Sequence, residues 1–281
     1  MKSFRIISFF LGIFVLFAAT FSGAGASYPT GEKFKFKAYA LGIIPIGTVW
    51  MDITTGMYEN VPTHLFKARC YGDYKIYLAD VRVFSHLSQK TDKSVFHAIE
   101  QYGTERRGRR LLFSPDNQFV QYVRREKDGE YRARCVTKVA PDVWDVFGGA
   151  FQARKRFDTE IGASTEIKII EKRKVFHLKC TVVERKPLTI KGVGTFDAVR
   201  VKMSALNLKP DEIFKGLLNL DRDVEIWLDS STATPLMMVT TVPFGFLRPK
   251  IKLVLKEWQT VPGFEPKLLP PPEKKIAKRK R

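Results

Sequence analysis

The chain reads YALGIIPIGTVWMDI over residues 39–53, and three structures compete for this stretch: a membrane span, a phosphate-binding loop and a β-hairpin. The span is excluded because crossing a bilayer takes about 20 apolar residues. The phosphate loop is excluded because Gly42 and Gly47, with Pro45 between them, match no phosphate-binding spacing. We therefore interpret the stretch as the first hairpin of a β-fold, with a turn over residues 42–47 that contains Pro45.

The return strand of this hairpin alternates between apolar and more polar positions. One side carries Val49, Met51 and Ile53, and the other carries Thr48, Trp50 and Asp52. The tip of the hairpin is apolar, with isoleucines at Ile43, Ile44 and Ile46. Turns are usually built from small and polar residues. We therefore expect these three isoleucines to make hydrophobic contacts with the rest of the fold, with a partner or with lipid.

The same alternation recurs along the chain and predicts a mainly β protein. It is clear in residues 34–41, 198–206 and 250–256, where lysine or arginine occupies the polar side. Turn signals recur at intervals of roughly 8–12 residues, which is typical of an antiparallel sheet that curls into a barrel or sandwich. Residues 141–158 and 209–219 have helical spacing instead, and predict one or two short helices packed on the sheet.

The two ends of the chain differ in composition from the middle. A short basic start, an apolar run and small residues up to Ala26 predict a secretory signal peptide, with an uncleaved anchor helix as the alternative. No later segment is apolar for long enough to predict a transmembrane span after cleavage. The predicted regions are a signal peptide at 1–26, a single β-rich domain at 27–265 and a Pro-rich, basic, disordered tail at 266–281.

The chain is strongly basic, with a formal net charge of +19. Such a charge attracts polyanions. Because export separates the protein from the genome, we expect an anionic lipid or another envelope polyanion as partner, and no nucleic acid. The candidates for surface docking in the tail are Lys274, Lys275, Lys278, Arg279, Lys280 and Arg281. A solvated basic surface with no specific partner is the alternative.

Sequence motifs for catalysis are missing. The four histidines have no zinc-ligand spacing, no GxSxG elbow occurs, and the GVGTF segment at 192–196 leads into a strand rather than a helix. We therefore expect no catalytic residues, no metal and no cofactor. Cys70, Cys135 and Cys180 each fall on the apolar side of a predicted strand, which favours buried thiols over a disulfide.

One basic cluster is a candidate for binding an anionic ligand. The string GTERRGRR, residues 103–110, contains four arginines: Arg106, Arg107, Arg109 and Arg110. The planar guanidinium group fits phosphate and carboxylate groups. The alternative is an exposed hairpin end with no ligand.

Several segments, in this order, resemble one family. They are the first hairpin LGIIPIGTVWMDI, the segment PDVWDVFGGAFQAR, the strand–turn–strand VEIWLDSSTATPLMM and the segment VPFGFLRPKIKLVL. Together with the signal peptide, they resemble the exported bacterial proteins of the domain of unknown function 3108 family, over nearly all of residues 34–258. The basic tail lies outside the shared region.

The resemblance implies a curled antiparallel sheet, a half-open barrel closed by helical segments and distantly similar to LolA/LolB-type lipoprotein carriers. It supplies no catalytic residues. We therefore expect a non-catalytic protein of the Gram-negative periplasm, peripheral to a membrane, that binds a hydrophobic or anionic, lipid-like ligand. The alternatives are a scaffold that docks on an anionic surface through its basic tail, and a hydrolase. The oligomeric state is not encoded in any pattern we recognise.

Overall fold

A computed structural model describes most of the middle of the chain. It covers residues 30–74, 77–104, 106–156, 158–206, 224–241, 249–262 and 268–270. The predicted signal peptide and the second predicted helix at 209–219 lie outside the described residues, as do the basic residues 274–281 of the predicted tail. Two residues of that tail, Leu268–Leu269, are strand instead and pair with the sheet.

Sixteen strands and one helix make up the regular structure of the described residues. The strands are β1 Lys33–Ala40, β2 Ile44–Tyr58, β3 Val61–Tyr74, β4 Tyr77–Ser88, β5 Ser94–Gly103, β6 Arg107–Phe113, β7 Phe119–Arg125, β8 Tyr131–Lys138, β9 Val143–Trp144, β10 Ser164–Glu171, β11 Lys174–Ile190, β12 Gly194–Ala205, β13 Val224–Asp229, β14 Pro235–Thr241, β15 Lys250–Gln259 and β16 Leu268–Leu269. The helix is α1 Val146–Arg156.

All the described strands belong to one sheet. Its order is β8-β7-β6-β5-β4-β3-β2-β1-β15-β14-β13-β12-β11-β10-β9, with β16 paired to β12. Neighbours are antiparallel except β9 and β10, which are parallel. β1 joins the two halves because it pairs with both β2 and β15. The sheet curls without closing into a barrel, which confirms the predicted fold class: mainly β, a curled half-open sheet with a short helix packed on it.

The first hairpin has the predicted faces but a shorter turn. Val49, Met51 and Ile53 are buried as expected, whereas the turn spans only residues 41–43. The placement of Pro45 in the turn was wrong, because Pro45 lies in β2 opposite Tyr39, where the register shifts. The pairing of β2 with β3 begins only at residue 48. A proline is tolerated there because the ladder needs no N–H donor on that side.

The helix is shorter than predicted at both ends. Trp144 lies in β9 rather than in the helix, and α1 starts at Val146. The start is set by the Asp145 carboxylate, which accepts hydrogen bonds from the backbone N–H groups of Phe147 (2.9 Å) and Gly148 (3.3 Å). This is the geometry of a helix N-cap, in which a side-chain oxygen satisfies otherwise unpaired donors. Gly149 permits close packing, because a Cβ there would lie 2.3 Å from a methyl carbon of β10.

The inner face of the curled sheet is packed with side chains. The largest fully buried residues are Phe36, Phe66, Phe147, Phe151, Phe176, Phe196, Ile53, Leu87 and Ile169. Phe66 of β3 contacts the helix, with ring centroids 4.2 Å from Phe151 and 6.1 Å from Phe147. One continuous cluster joins β1–β5, α1 and β10–β15. The aromatic residues Phe147 and Phe151 of the helix are therefore part of the core.

The three cysteines are free thiols. Cys70 and Cys180 are buried, and burial raises the pKa of each thiol to about 12. Cys135 is half-buried. The prediction of unpaired thiols on the apolar sides of strands is thus confirmed for the two buried cysteines. No helix among the described residues has the length and apolar character needed to cross a bilayer.

Candidate functional site

The two edges of the curled sheet contact each other through side chains, and we call this contact the seam. Leu111, Phe113 and Val120 of β6 and β7 pack against Val143 of β9 and Ile170 of β10 in a small apolar cluster. Beside this cluster the side chains enclose a cavity of about 10 Å³. That volume is close to what one water molecule requires, and far below the roughly 300 Å³ of small ligand pockets. The seam cavity therefore has no room for an acyl chain.

A buried polar network lies next to the seam. The Asp145 carboxylate accepts hydrogen bonds from the hydroxyl groups of Ser85 (2.9 Å) and Ser94 (2.5 Å). His97 Nδ1 lies 3.4 Å from the same carboxylate. Burial by itself raises the pKa of Asp145, but His97 and the two hydroxyls outweigh it and hold that pKa below its ordinary value. The carboxylate is therefore charged at neutral pH.

The residue types in this network are those of a Ser-His-Asp triad, but their connections are different. In a triad the serine hydroxyl is hydrogen-bonded to the histidine, which in turn contacts the carboxylate. Here both serine hydroxyls donate to Asp145 itself. Ser85, Ser94 and Asp145 are fully buried. The network anchors the start of α1 against β4 and β5, and this arrangement activates neither serine as a nucleophile.

Arginines form a row across the inner face at the seam. Arg109 of β6 is the register partner of Arg124 of β7, which in turn is the register partner of Arg132 of β8. Register partners in an antiparallel pair share a face and lie about 5 Å apart at Cβ. Arg109 Nη1 reaches across the seam to Glu171 Oε1 at 2.6 Å. We call Arg109, Arg124 and Arg132 the arginine row.

Lys172 extends the row on the other side of the seam. It follows β10 directly, is half-buried, and lines the small cavity together with Arg109 and Glu171. Burial lowers the pKa of Lys172, Glu171 opposes this effect, and Arg109 and Arg124 lower the pKa further. The two arginines are therefore close enough to act on the Lys172 amine.

The structure does not bring the four arginines of residues 103–110 together. Arg107 and Arg109 belong to the inner side of β6, whereas Arg106 precedes the strand and is exposed. Arg110 is on the outer face, where it pairs with Glu100 at 3.0 Å and lies 3.6 Å from the centre of the Tyr131 ring. Their role as anion ligands stays a prediction.

Arginines on the outer face of the sheet have carboxylate or aromatic neighbours. Asp80 accepts two hydrogen bonds from Arg69 (2.8 and 3.0 Å) and one from Arg82 (3.0 Å). Burial raises the pKa of Asp80, but the two arginines outweigh it and lower that pKa overall. Arg82 also lies 5.0 Å from the centre of the Tyr102 ring. These cations have carboxylate or aromatic neighbours, unlike Arg124, which has no carboxylate partner within the described part of the chain.

The apolar tip of the first hairpin is divided between the core and the surface. Ile46 packs against the core, but Ile43 is 79% exposed, Ile44 50% and Leu41 63%. The backbone N–H of Leu41 donates to the carbonyl of Lys250 at 2.8 Å, so the tip lies beside the start of β15. The predicted covering by the fold thus holds for Ile46 and not for the other two isoleucines.

The end of the sheet that carries this tip is called the hairpin end. Because neighbouring strands run antiparallel, the start of β4 and the end of β12 lie there too. Both present exposed leucines, Leu78 at 37% and Leu206 at 51%. The start of β6 and the turn after β10, with Arg107 and Lys172, are at the same end. Exposed apolar residues and basic residues therefore share one end of the molecule.

No protein-family model matches the chain, and no curated protein matches it. A β-barrel-like protein of domain of unknown function 1849 from Brucella abortus is similar in structure, with a TM-score of 0.49 and 7% identity over 83% of this chain and 98% of that one. A protein from Bacteroides fragilis with a YmcC-like fold, described as exported, has a TM-score of 0.32 and 8% identity over 82% and 96%.

A protein from Parabacteroides distasonis, described as a lipoprotein, has a TM-score of 0.27 and 9% identity, covering 86% of this chain and 98% of that one. At these identities and TM-scores, the three likenesses assign neither a family nor a function. The resemblance to the family of domain of unknown function 3108 stays a prediction.

Proposed function

We propose that this chain is an exported, non-catalytic envelope protein that docks peripherally on an anionic lipid surface through its hairpin end. The observation that carries the proposal is the exposure of Leu41 and Ile43 in the turn, where small and polar residues are the rule, and of Ile44 at the start of β2. A buried location for these side chains is supplied most simply by the interface of a bilayer.

The charge of the chain supports an anionic surface as the partner. The formal net charge is +19, and Lys250 and Lys252 of β15 lie beside the apolar tip. Basic residues near an anionic bilayer contribute about 1 kcal/mol each. Apolar insertion and charge attraction then act on the same end of the protein.

The packed interior favours surface docking over transport of a lipid inside the sheet. The described inner face is filled by one continuous cluster of buried side chains. The seam cavity of about 10 Å³ is too small for an acyl chain. The protein therefore contacts a lipid-like partner at the rim of the sheet and not in its interior.

Vesicle co-sedimentation tests the proposal. The purified protein should bind vesicles that contain phosphatidylglycerol and should not bind vesicles of phosphatidylcholine alone. The double variant Ile43→Asp/Ile44→Asp should bind the anionic vesicles at least about ten-fold more weakly, because burying one isoleucine contributes about 1.5–3 kcal/mol.

Two controls make this result specific. Met57→Asp changes a side chain on the same strand that is 60% exposed but lies at the opposite end, so it should leave vesicle binding unchanged. Deletion of residues 270–281 removes the basic tail beyond β16 and should weaken binding without abolishing it. Equal losses of vesicle binding for the tip variant and for Met57→Asp would contradict the proposal. Complete loss of vesicle binding on deletion of the tail alone would also contradict it.

A further inference from the structure

We infer that the arginine row and Lys172 form a binding site for a phosphate-bearing anion at the seam of the sheet. The site is separate from the apolar tip and stands on different residues. Docking by the tip and anion binding at the seam can therefore fail independently, although both lie toward the hairpin end.

Like charges lie next to one another in the arginine row. Arg109, Arg124 and Arg132 are successive register partners on one face. Like charges directly opposite each other on a sheet face destabilise it. A row of three such residues is tolerated when nearby anions neutralise part of its charge, and Glu171, bound to Arg109 from across the seam, is one such anion.

The site carries more positive than negative charge. Arg109 pairs with Glu171 across the seam, and Arg132 pairs with Asp128 in the turn before β8. The four cations of the site, the arginine row and Lys172, thus face two carboxylates, which leaves a net charge of +2. A phosphate group carries a charge of about −1.5 to −2 at neutral pH. The charge of one phosphate group therefore neutralises the excess positive charge of the site.

The site is accessible from solvent. The seam cavity is too small for a phosphate, so it serves as the floor of the site rather than as the site itself. Arg124 is exposed, and the Arg132 side chain is 62% exposed. Lys172 is half-buried at the edge of the cavity. An anion can thus reach three cations from solvent without any rearrangement of the core.

The chemistry of the donors points to phosphate rather than to a halide ion. A guanidinium group presents parallel N–H donors that pair with two oxygens of one phosphate, and a lysine adds a point charge. The same phosphate chemistry is available from a lipid headgroup and from a soluble phosphate. The two sources differ in whether a bilayer is needed for binding.

The test uses Arg124→Gln in the full chain. The substitution relieves repulsion between like charges, so it should raise the Tm slightly in phosphate-free buffer. It should also lower the affinity for inorganic phosphate about ten-fold, because charge-assisted hydrogen bonds are lost. A residue with a purely structural role would not combine these two effects. Arg110→Gln removes the same charge from the outer face of the neighbouring strand and should leave the affinity unchanged.

Two arms identify the source of the phosphate. In the first, calorimetric titration with inorganic phosphate measures binding without lipid. In the second, vesicles of phosphatidylcholine with and without phosphatidic acid are titrated. Binding in either arm that is weakened about ten-fold in Arg124→Gln and unchanged in Arg110→Gln supports the site and assigns its source. The inference is overturned when wild-type protein binds in neither arm, or when Arg124→Gln and wild-type protein bind equally well.

Discussion

Substitution of Asp145 by alanine should destabilise the protein severely, although the residue is a single small side chain. Its carboxylate accepts hydrogen bonds from two serine hydroxyls and from the N–H groups of Phe147 and Gly148 at the start of α1. All of these contacts are buried. Alanine removes the acceptor and leaves the donors inside a packed core, where water cannot replace it.

The size of the effect follows from these contacts. Loss of a helix N-cap costs about 1 kcal/mol. A buried donor left without an acceptor costs about 1–3 kcal/mol, and Ser85 and Ser94 both lose theirs. The losses overlap, so we expect at least about 3 kcal/mol. That is a large part of the roughly 5–15 kcal/mol that stabilises a typical domain.

Urea unfolding followed by circular dichroism measures this change, with Asp145→Asn as the matched control. Asparagine keeps the shape and one acceptor oxygen, so it should retain part of the lost free energy of unfolding. A change below about 1 kcal/mol for Asp145→Ala, with an unaltered denaturant slope, would refute the view that this carboxylate anchors the helix.

The pH dependence gives a second readout for Asp145. Because His97 and the serines hold the folded-state pKa of Asp145 below its unfolded value, its contribution to stability is fully present above the unfolded pKa of about 3.9. The contribution is lost as the pH falls from there through the folded-state pKa. The difference in unfolding free energy between wild type and Asp145→Asn should therefore be constant near neutrality and shrink in acid.

Two further predictions concern other buried groups. Glu32→Ala removes both hydrogen bonds that the buried Arg154 guanidinium donates to Glu32, and urea unfolding should show a loss of about 3–5 kcal/mol; Glu257→Ala, which breaks an exposed pair, should cost less than about 1 kcal/mol. A thiol reagent should modify Cys135 quickly in the native protein and the two buried cysteines only after denaturation, and fast reaction of all three would contradict the packed core.

The sheet was predictable because its signal is local. Alternation around Val49, Met51 and Ile53 assigns the inner and outer faces of β2, since residues two apart share a face of any strand. Pro45 was misplaced because its tolerance depends on whether β3 pairs with that part of β2, and no pattern within β2 encodes where its neighbour stops. The helix start was misplaced because Asp145 finds its partners in β4 and β5, far away in sequence.

The candidate site was only partly predictable for the same reason. The density of arginine at residues 103–110 pointed to Arg109, but it also included Arg106 and Arg107, which lie outside the row, and Arg110, which the pleat directs to the outer face. Arg124 and Arg132 join the row only through the registers of β6, β7 and β8. Lys172 lies beside the row because the two edges of the sheet contact each other at the seam. Cross-strand pairing of this kind is a property of the folded sheet and not of any single segment.

Docking through the hairpin end is tested most directly by the polarity around its tip. A polarity-sensitive fluorophore attached to Ile43→Cys, in a Cys135→Ser background, reports whether the tip enters lipid. On addition of phosphatidylglycerol vesicles, the emission should shift to the blue and become accessible to quenchers placed on the acyl chains. The same fluorophore at Met57→Cys should not respond. An unchanged spectrum at Ile43→Cys under conditions where the protein co-sediments with the vesicles would contradict docking through this end.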